Sequence, residues 1–319
     1  MATIKDVAKA AGVSISTVSY ALNADPRIPE KTAAVIRRIA GDIGYFPSAA
    51  ARNLKKRTTQ TILVAISDFG GPVYHNLLDG IHHELAKSNY TMIVSTGVSS
   101  ENLLKERSAD GAIIADIHIA DETLAKVAMN FRPIIVLDRR IDVPGIVDMT
   151  IDNERAMADL THEAIARGYR RIAYVHGVRE TYDDTDRFAG FRRAMRAAGA
   201  GIFAEYWGTF TKSSGHEVIA ALLEAKATLP DMFVCANDEM AIGIMDGLSE
   251  AGLHVPEDVG VSGFDDIELA SYYRPGLSTI RIDHSAWGRA IAATAVAILQ
   301  GKDADVHKQQ GVIILRESF

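Results

Sequence analysis

The chain has 319 residues, 48% hydrophobic and 24% charged, an ordinary globular balance with room for about two domains, which excludes disordered, collagenous and miniprotein classes. Its longest nearly apolar stretch, Ala290–Leu299, is half of the roughly 20 residues a bilayer-spanning helix needs. No basic segment leads into an apolar run at the amino terminus, and the lone Cys235 can make neither an intrachain disulfide nor a cysteine zinc site; the expectation is a cytoplasmic protein without membrane partner or cofactor.

The net charge of −7 is unevenly divided. Residues 1–57 hold ten Lys/Arg against four acids, or +6, while residues 58–319 hold 24 against 37, or −13. A basic module on an acidic body fits a polyanionic partner, because each neutralised phosphate releases counterions. A solvated basic face would carry the same charge, so charge alone leaves both readings open.

In chain order, Ile4, Val7, Ala8 and Ala11 form an i, i+3, i+4, i+7 stripe that predicts a helix over 4–11, ended by Gly12. Ser14 is placed to cap a second helix over 15–22, with Val18 and Leu22 inward and Ser16, Thr17 and Tyr20 outward. A Gly-containing turn between two short helices is helix-turn-helix spacing. A third helix starts at Pro29-Glu30 and buries Ala33, Ile36, Ile39 and Ala40.

The motifs TIKDVAKAAGVSISTVSYALN (Thr3–Asn23), IPEKT (Ile28–Thr32) and GYFP (Gly44–Pro47) resemble the DNA-binding head of the lactose-repressor (LacI) family of bacterial transcription regulators. The likeness continues through SAAARNLK (Ser48–Lys55), similar to the family's hinge helix, and along the remaining chain. It implies a head over 1–47, a hinge over 48–57 and an effector-binding body over 58–319, and a homodimer on a pseudo-palindromic operator in double-stranded DNA. It also implies that Ser16, Thr17 and Tyr20 face base edges in the major groove, with Ile15 against a thymine methyl. Thr3, Ser14, Ser19, Asn23 and Tyr45 would hold phosphates, and Leu54, flanked by Ala51 and Lys55, would wedge into the minor groove. Where relatives often carry Arg or His, position 20 is Tyr, which removes bidentate guanine recognition there.

In the body, TILVAIS (Thr61–Ser67) is a buried-strand pattern that recurs at 90–95, 111–115, 133–137 and 146–151, with helical patterns over 75–87 and around Leu103 and Val127. A second series, with strands at 171–176, 232–236 and 259–262, alternates with helices over 154–167, 187–198, 214–224 and 240–251. The expected fold class is α/β: two subdomains with parallel sheets beneath an all-α head, the body resembling periplasmic binding proteins. The resemblance implies crossings near Asp152, Arg281 and Gly311, an amino subdomain over 58–151 and 283–310, and a carboxyl subdomain over 152–282 and 311–319. Helices 75–87 and 240–251 are candidates for the dimer face.

Ligands in such folds sit beyond the carboxyl ends of the strands. The loops there match the family at DFGGPVY (Asp68–Tyr74), Asp138, RFAGF (Arg187–Phe191), GTF (Gly208–Phe210), ANDEMA (Ala236–Ala241) and SGFDD (Ser262–Asp266). By position, Tyr74 and Phe210 would stack on the effector while Asp138, Arg187, Asn237 and Asp265 hydrogen-bond it. Vicinal hydroxyls take bidentate Asp, Asn and Arg partners, so the effector class is a sugar. Gly70-Gly71, Val73 and a short 97–110 connection depart from the family pattern. The acids Asp183, Asp184 and Asp186 have two readings, a contact to effector hydroxyls or a solvated loop, of which the loop is expected. No Walker loop, G-x-S-x-G or H-E-x-x-H occurs, and adjacent His82 and His83 point about 100° apart on a helix, so an enzyme is not expected.

Overall fold

The computed structural model describes residues 2–46, 58–137, 139–304 and 306–319; Asp138 and the 48–57 segment with Ala51, Leu54 and Lys55 lie outside the described residues. The chain forms two compact units, Met1–Gln60 and Thr61–Phe319.

The first unit packs α1 (Ile4–Ala11), α2 (Ile15–Leu22) and α3 (Glu30–Asp42) around Val7, Ala8, Val18, Ala21, Ala33, Ile36 and Ala40. Each boundary has a local cause. The Thr3 amide and hydroxyl both donate to the Asp6 carboxylate at 2.9 and 2.8 Å, closing the start of α1, and Gly12 ends it at φ +64°. The Ser14 hydroxyl accepts the Thr17 amide at 3.1 Å, as its position predicts. Ala21 is fully buried and Leu22 and Ile39 are half-buried, a small rotation from the expected inward faces.

The second unit opens with β1 (Thr61–Ile66), α4 (Pro72–Lys87), β2 (Thr91–Thr96), α5 (Gly97–Lys105), β3 (Gly111–Ala115), α6 (Asp121–Ala128), β4 (Ile134–Val136) and β5 (Ile146–Asp148). It continues with α7 (Asn153–Ala166), β6 (Ile172–His176), α8 (Tyr182–Ala197), β7 (Ala204–Trp207), α9 (Lys212–Glu224), β8 (Met232–Cys235), α10 (Asp238–Glu250), β9 (Gly260–Ser262), α11 (Glu268–Tyr272), β10 (Thr279–Arg281), α12 (His284–Leu299) and β11 (Val312–Ile314). A five-stranded parallel sheet has the order β2-β1-β3-β4-β5, and a four-stranded parallel sheet the order β7-β6-β8-β9. The short 97–110 connection still contains the helix α5. Among the described residues no helix is long and apolar enough to cross a membrane.

Three segments between the sheets run side by side. β10 pairs antiparallel with β11, Ile151 bridges Gln309, and the Asp265 amide donates to the Ile280 carbonyl at 2.8 Å. Helix α12, late in the chain, returns to pack on α4.

Glycine lets three helix pairs bring their backbones together. A Cβ on Gly80 would lie 2.2 Å from the Ser285 carbonyl oxygen across α4–α12, one on Gly190 2.1 Å from that of Glu154 across α7–α8, and one on Gly215 2.1 Å from that of Met240 across α9–α10. In an open helix Gly→Ala gains up to about 1 kcal/mol of propensity, whereas forced overpacking costs about 1–3 kcal/mol. Gly215→Ala is therefore expected to lower Tm in a calorimetric scan; an unchanged or raised Tm would show that the helices part at no cost.

One expectation changes. The residues Asp183, Asp184 and Asp186 form the beginning of α8, which starts at Tyr182, and Asp184 is buried rather than solvated in a loop. In α10, Met240, Ala241, Ile242, Ile244, Met245 and Leu248 are buried within this chain. That helix presents Ser249 and Glu250 to solvent, and its Ile242 lines a surface pocket with the exposed Leu269 and Tyr272.

Candidate functional site

On the first unit, α2 displays Ile15 at 45% exposure beside exposed Ser16. Thr17 is half-buried, its hydroxyl 2.8 Å from that of Ser14, so Ser14 and Thr17 share a polar cluster at the helix start. Tyr20 is half-buried, with the Arg27 guanidinium 3.9 Å over its ring, and Arg27 in turn holds Asp25 through two hydrogen bonds of 2.9 and 2.7 Å. Ser19 is half-buried and its carbonyl accepts the Asn23 side-chain amide at 2.7 Å. Tyr45 packs against the head core, and the Thr3 hydroxyl is already engaged with Asp6.

In the second unit a cavity of about 560 Å³ opens between the carboxyl ends of the two parallel sheets. Tyr74, Arg187, Phe210, Asn237 and Asp265 all line it. Each is brought there by the loop or helix that follows a strand: Tyr74 by α4 after β1, Arg187 by α8 after β6, and Phe210 by the turn after β7. Asn237 caps α10 after β8, and Asp265 lies in the loop after β9.

Arg187, 5% exposed, ties these elements together. Its Nε donates to Asn153 Oδ1 at 2.9 Å, Nη1 to the Ala236 carbonyl at 2.6 Å, and Nη2 stands 3.8 Å from Asp265 Oδ1. Its guanidinium lies 3.8 Å over the Phe264 ring. Asn237 donates to the Phe210 carbonyl at 2.8 Å and accepts the Met240 amide at 3.1 Å, so one N–H and one lone pair of its amide remain for a ligand. Phe210 sits at φ +63°, and its ring occupies the space where a Cβ on Gly177 would be, 2.1 Å away. Gly177 is what lets that ring form the cavity wall.

The Asp265 loop is bent, with Asp265 at φ 108° and Asp266 at 53°, and its neighbours hold it. Asp266 pairs with Arg281 at 2.6 Å and Arg316 at 2.7 Å. Asp238, fully buried, accepts the Thr279 hydroxyl at 2.5 Å and the Ile267 amide at 2.8 Å.

Sequence reasoning missed several lining residues. His284 and Trp287 at the start of α12, Glu239 in the first turn of α10, and Thr181 and His118 on two loops also face the cavity. A charged residue in the first turn after the N-cap Asn237 was the available signal for Glu239; nothing in the local pattern singled out His284 in an Ala-rich helix. Behind the wall, His176 meets Asp184 at 2.8 Å and Glu205 at 3.2 Å and stacks on Trp207 at 4.0 Å. No group of three or more metal-ligating side chains forms a metal site among the described residues.

Known proteins share this arrangement. Residues 3–48 match the model for bacterial regulatory proteins of the lacI family, and residues 161–319 that for a periplasmic binding protein-like domain. The HTH-type transcriptional repressor PurR of Vibrio parahaemolyticus is 32% identical over 100% of this chain and 98% of its own. The chain belongs to the LacI family of bacterial regulatory proteins. As a LacI-family member it is a DNA-binding transcriptional repressor and not an enzyme. The lac repressor dimer bound to operator and the anti-inducer ONPF has a TM-score of 0.88 at 25% identity, covering 99% of this chain and 98% of that one. A LacI-family regulator from Enterococcus faecium with bound ribose has a TM-score of 0.74 at 27% identity over 81% of this chain and 98% of its own.

Burial, and then the charge of Asp265, push the Asp238 carboxyl of this repressor well above the usual carboxylate range. A carboxyl whose pKa is raised by folding contributes most stability when protonated, below its unfolded value of 3.8, and loses it as pH rises towards the folded value. Asparagine keeps the shape: its oxygen can accept the Ile267 amide and its NH₂ donate to the Thr279 hydroxyl. Asp238→Asn is therefore expected to raise Tm at neutral pH and to flatten its decline above about pH 4. Parallel Tm–pH curves for the two proteins would contradict this.

Proposed function

We propose that this repressor grips a pseudo-palindromic operator as a homodimer and is released from it by a sugar bound in the cavity between the two parallel sheets. The observation that carries the reading is the convergence of Tyr74, Arg187, Phe210, Asn237 and Asp265 on that one cavity. Aromatic walls suit the C–H face of a pyranose, and the Asp, Asn and Arg groups suit its vicinal hydroxyls. The ribose-bound relative from E. faecium supports a sugar as the class.

In this reading the amino subdomain covers 58–151 and 283–310 and the carboxyl subdomain 152–282 and 311–319, with Asp138 completing the effector contacts. A ligand held from both sheets changes the angle between them about the three side-by-side segments. On DNA, Ile15, Ser16, Thr17 and Tyr20 read bases, Thr3, Ser14, Ser19, Asn23 and Tyr45 hold phosphates, and Leu54 with Ala51 and Lys55 enters the minor groove at the operator centre. A 100-fold loss of operator affinity requires about 2.7 kcal/mol of coupling, which the effector supplies by preferring the released state.

The test is fluorescence anisotropy of a duplex selected from a random pool, titrated with protein at fixed salt and then with mono- and disaccharides. A sugar that lowers affinity supports the reading, and one that raises it reverses the mode to corepression. Specific binding that no sugar moves would remove the sugar from it.

A further inference from the structure

The cavity's charge is one-sided. Among the described residues lining it, Asp68, Asp183, Glu239 and Asp265 are acidic, and Arg187 is the one Lys or Arg. Arg187 stands 3.8 Å from Asp265, so the other three acids leave the cavity's balance negative. Lys212, on the far side of Glu239, is paired with Asp246 at 2.6 Å.

Among the described residues that line the cavity, Glu239 is the carboxylate with no hydrogen-bond or ion-pair partner, and it is half-buried. Its Oε1 lies 3.5 Å from where a Cβ on Gly71 would be, so from the four-stranded side it reaches the loop that follows β1 on the five-stranded side. Burial first, and then the charges of Asp265 and Asp68, raise its pKa, so these three carboxylates feel one another.

A second, independent feature points to a ligand at the same place. His284, 6% exposed, lines the cavity with both ring nitrogens lacking a hydrogen-bond partner, Nε2 standing 3.6 Å from Asp265 Oδ1. The Trp287 indole N–H beside it is also buried and unpartnered. Buried polar atoms are normally satisfied, so these three, on side chains that line the cavity, mark a polar wall the protein leaves unpaired.

We propose that the effector carries a primary ammonium group, as an amino sugar does, held by Glu239 with Asp68 and Asp265, while His284 and Trp287 hydrogen-bond adjacent hydroxyls. An ammonium has three donors and no acceptor, which matches three carboxylates and needs no further anion. The inference rests on the sugar reading of the cavity and narrows it.

Isothermal titration of the full-length chain with glucosamine, galactosamine and mannosamine, each against its parent hexose and N-acetyl derivative, tests it. At least one amine is expected to bind about tenfold or more tightly than both of its neutral counterparts, because the unpaired charge favours it in a partly desolvated site. Glu239→Gln should collapse that ratio, weakening the amine several-fold more than its neutral parent. Equal binding of amine and parent overturns the ammonium proposal and leaves the sugar cavity standing; a ratio that survives Glu239→Gln overturns the role of Glu239. If none of these sugars binds, this inference fails, and the disaccharides of the anisotropy test decide the sugar reading beneath it.

Discussion

Arg187→Ala is expected to abolish the effector's influence on operator affinity while the affinity itself stays within about twofold of wild type. The guanidinium connects α7 through Asn153, the end of β8 through the Ala236 carbonyl, and the bent loop through Asp265. Alanine removes all three bonds and the face over Phe264 at once, so the cavity's four-stranded side loses the group that orders it. Removing one partner of a buried charge pair costs about 3–5 kcal/mol. The cost here falls at the low end or below, because Asp265 opens onto the cavity, where water can reach it, and has His284 nearby.

A calorimetric Tm on the same sample separates loss of response from loss of fold. Arg187→Lys sharpens the result: lysine keeps the charge but not the planar fork, and should recover part of the stability without the response. A full effector response in Arg187→Ala would mean that the ligand is held elsewhere.

Much of this was legible in the sequence because local rules and the fold agree. The end of α1 and the start of α2 follow from Gly12 and Ser14, residues whose φ angle or side chain bounds a helix by itself, whereas the Thr3–Asp6 pair that opens α1 emerges only in the structure. The strands β1, β3, β6 and β8 are runs of buried apolar residues, and loops after such strands in a parallel sheet converge on one edge, which is why five effector candidates share a cavity. β7 was not legible: Ala204–Trp207 is an edge strand whose Glu205 and Trp207 are exposed, so it has no apolar run. β10 and β11 are three residues each and exist because they pair with each other, from 279–281 to 312–314. His284 and Trp287 belong to the cavity because α12 returns across the chain to pack on α4. Asp184 was misread because its partners, His176 and the Gly177 amide, lie on the preceding strand and turn and draw it inward.

The other large effect is expected at Tyr20. Its ring is fixed between α2 and the Arg27 guanidinium, which Asp25 clamps through two hydrogen bonds, so the phenol is presented in one orientation. A base contact in the major groove is worth about 1–3 kcal/mol of discrimination, or roughly 5- to 150-fold between the preferred base and its rivals. Tyr20→Ala should relax the preference at one position of each half-site by that amount and leave the other positions unchanged, as read by repeating the selection from a random pool. Tyr20→Phe divides the contribution: if the hydroxyl does the reading it matches alanine at that position, and if the ring packs on a thymine methyl it matches the wild type. Arg27→Ala frees the ring without removing it and should blur the same position less. A uniform loss across all sequences in Tyr20→Ala would instead make the phenol a phosphate contact, since backbone contacts add affinity without information.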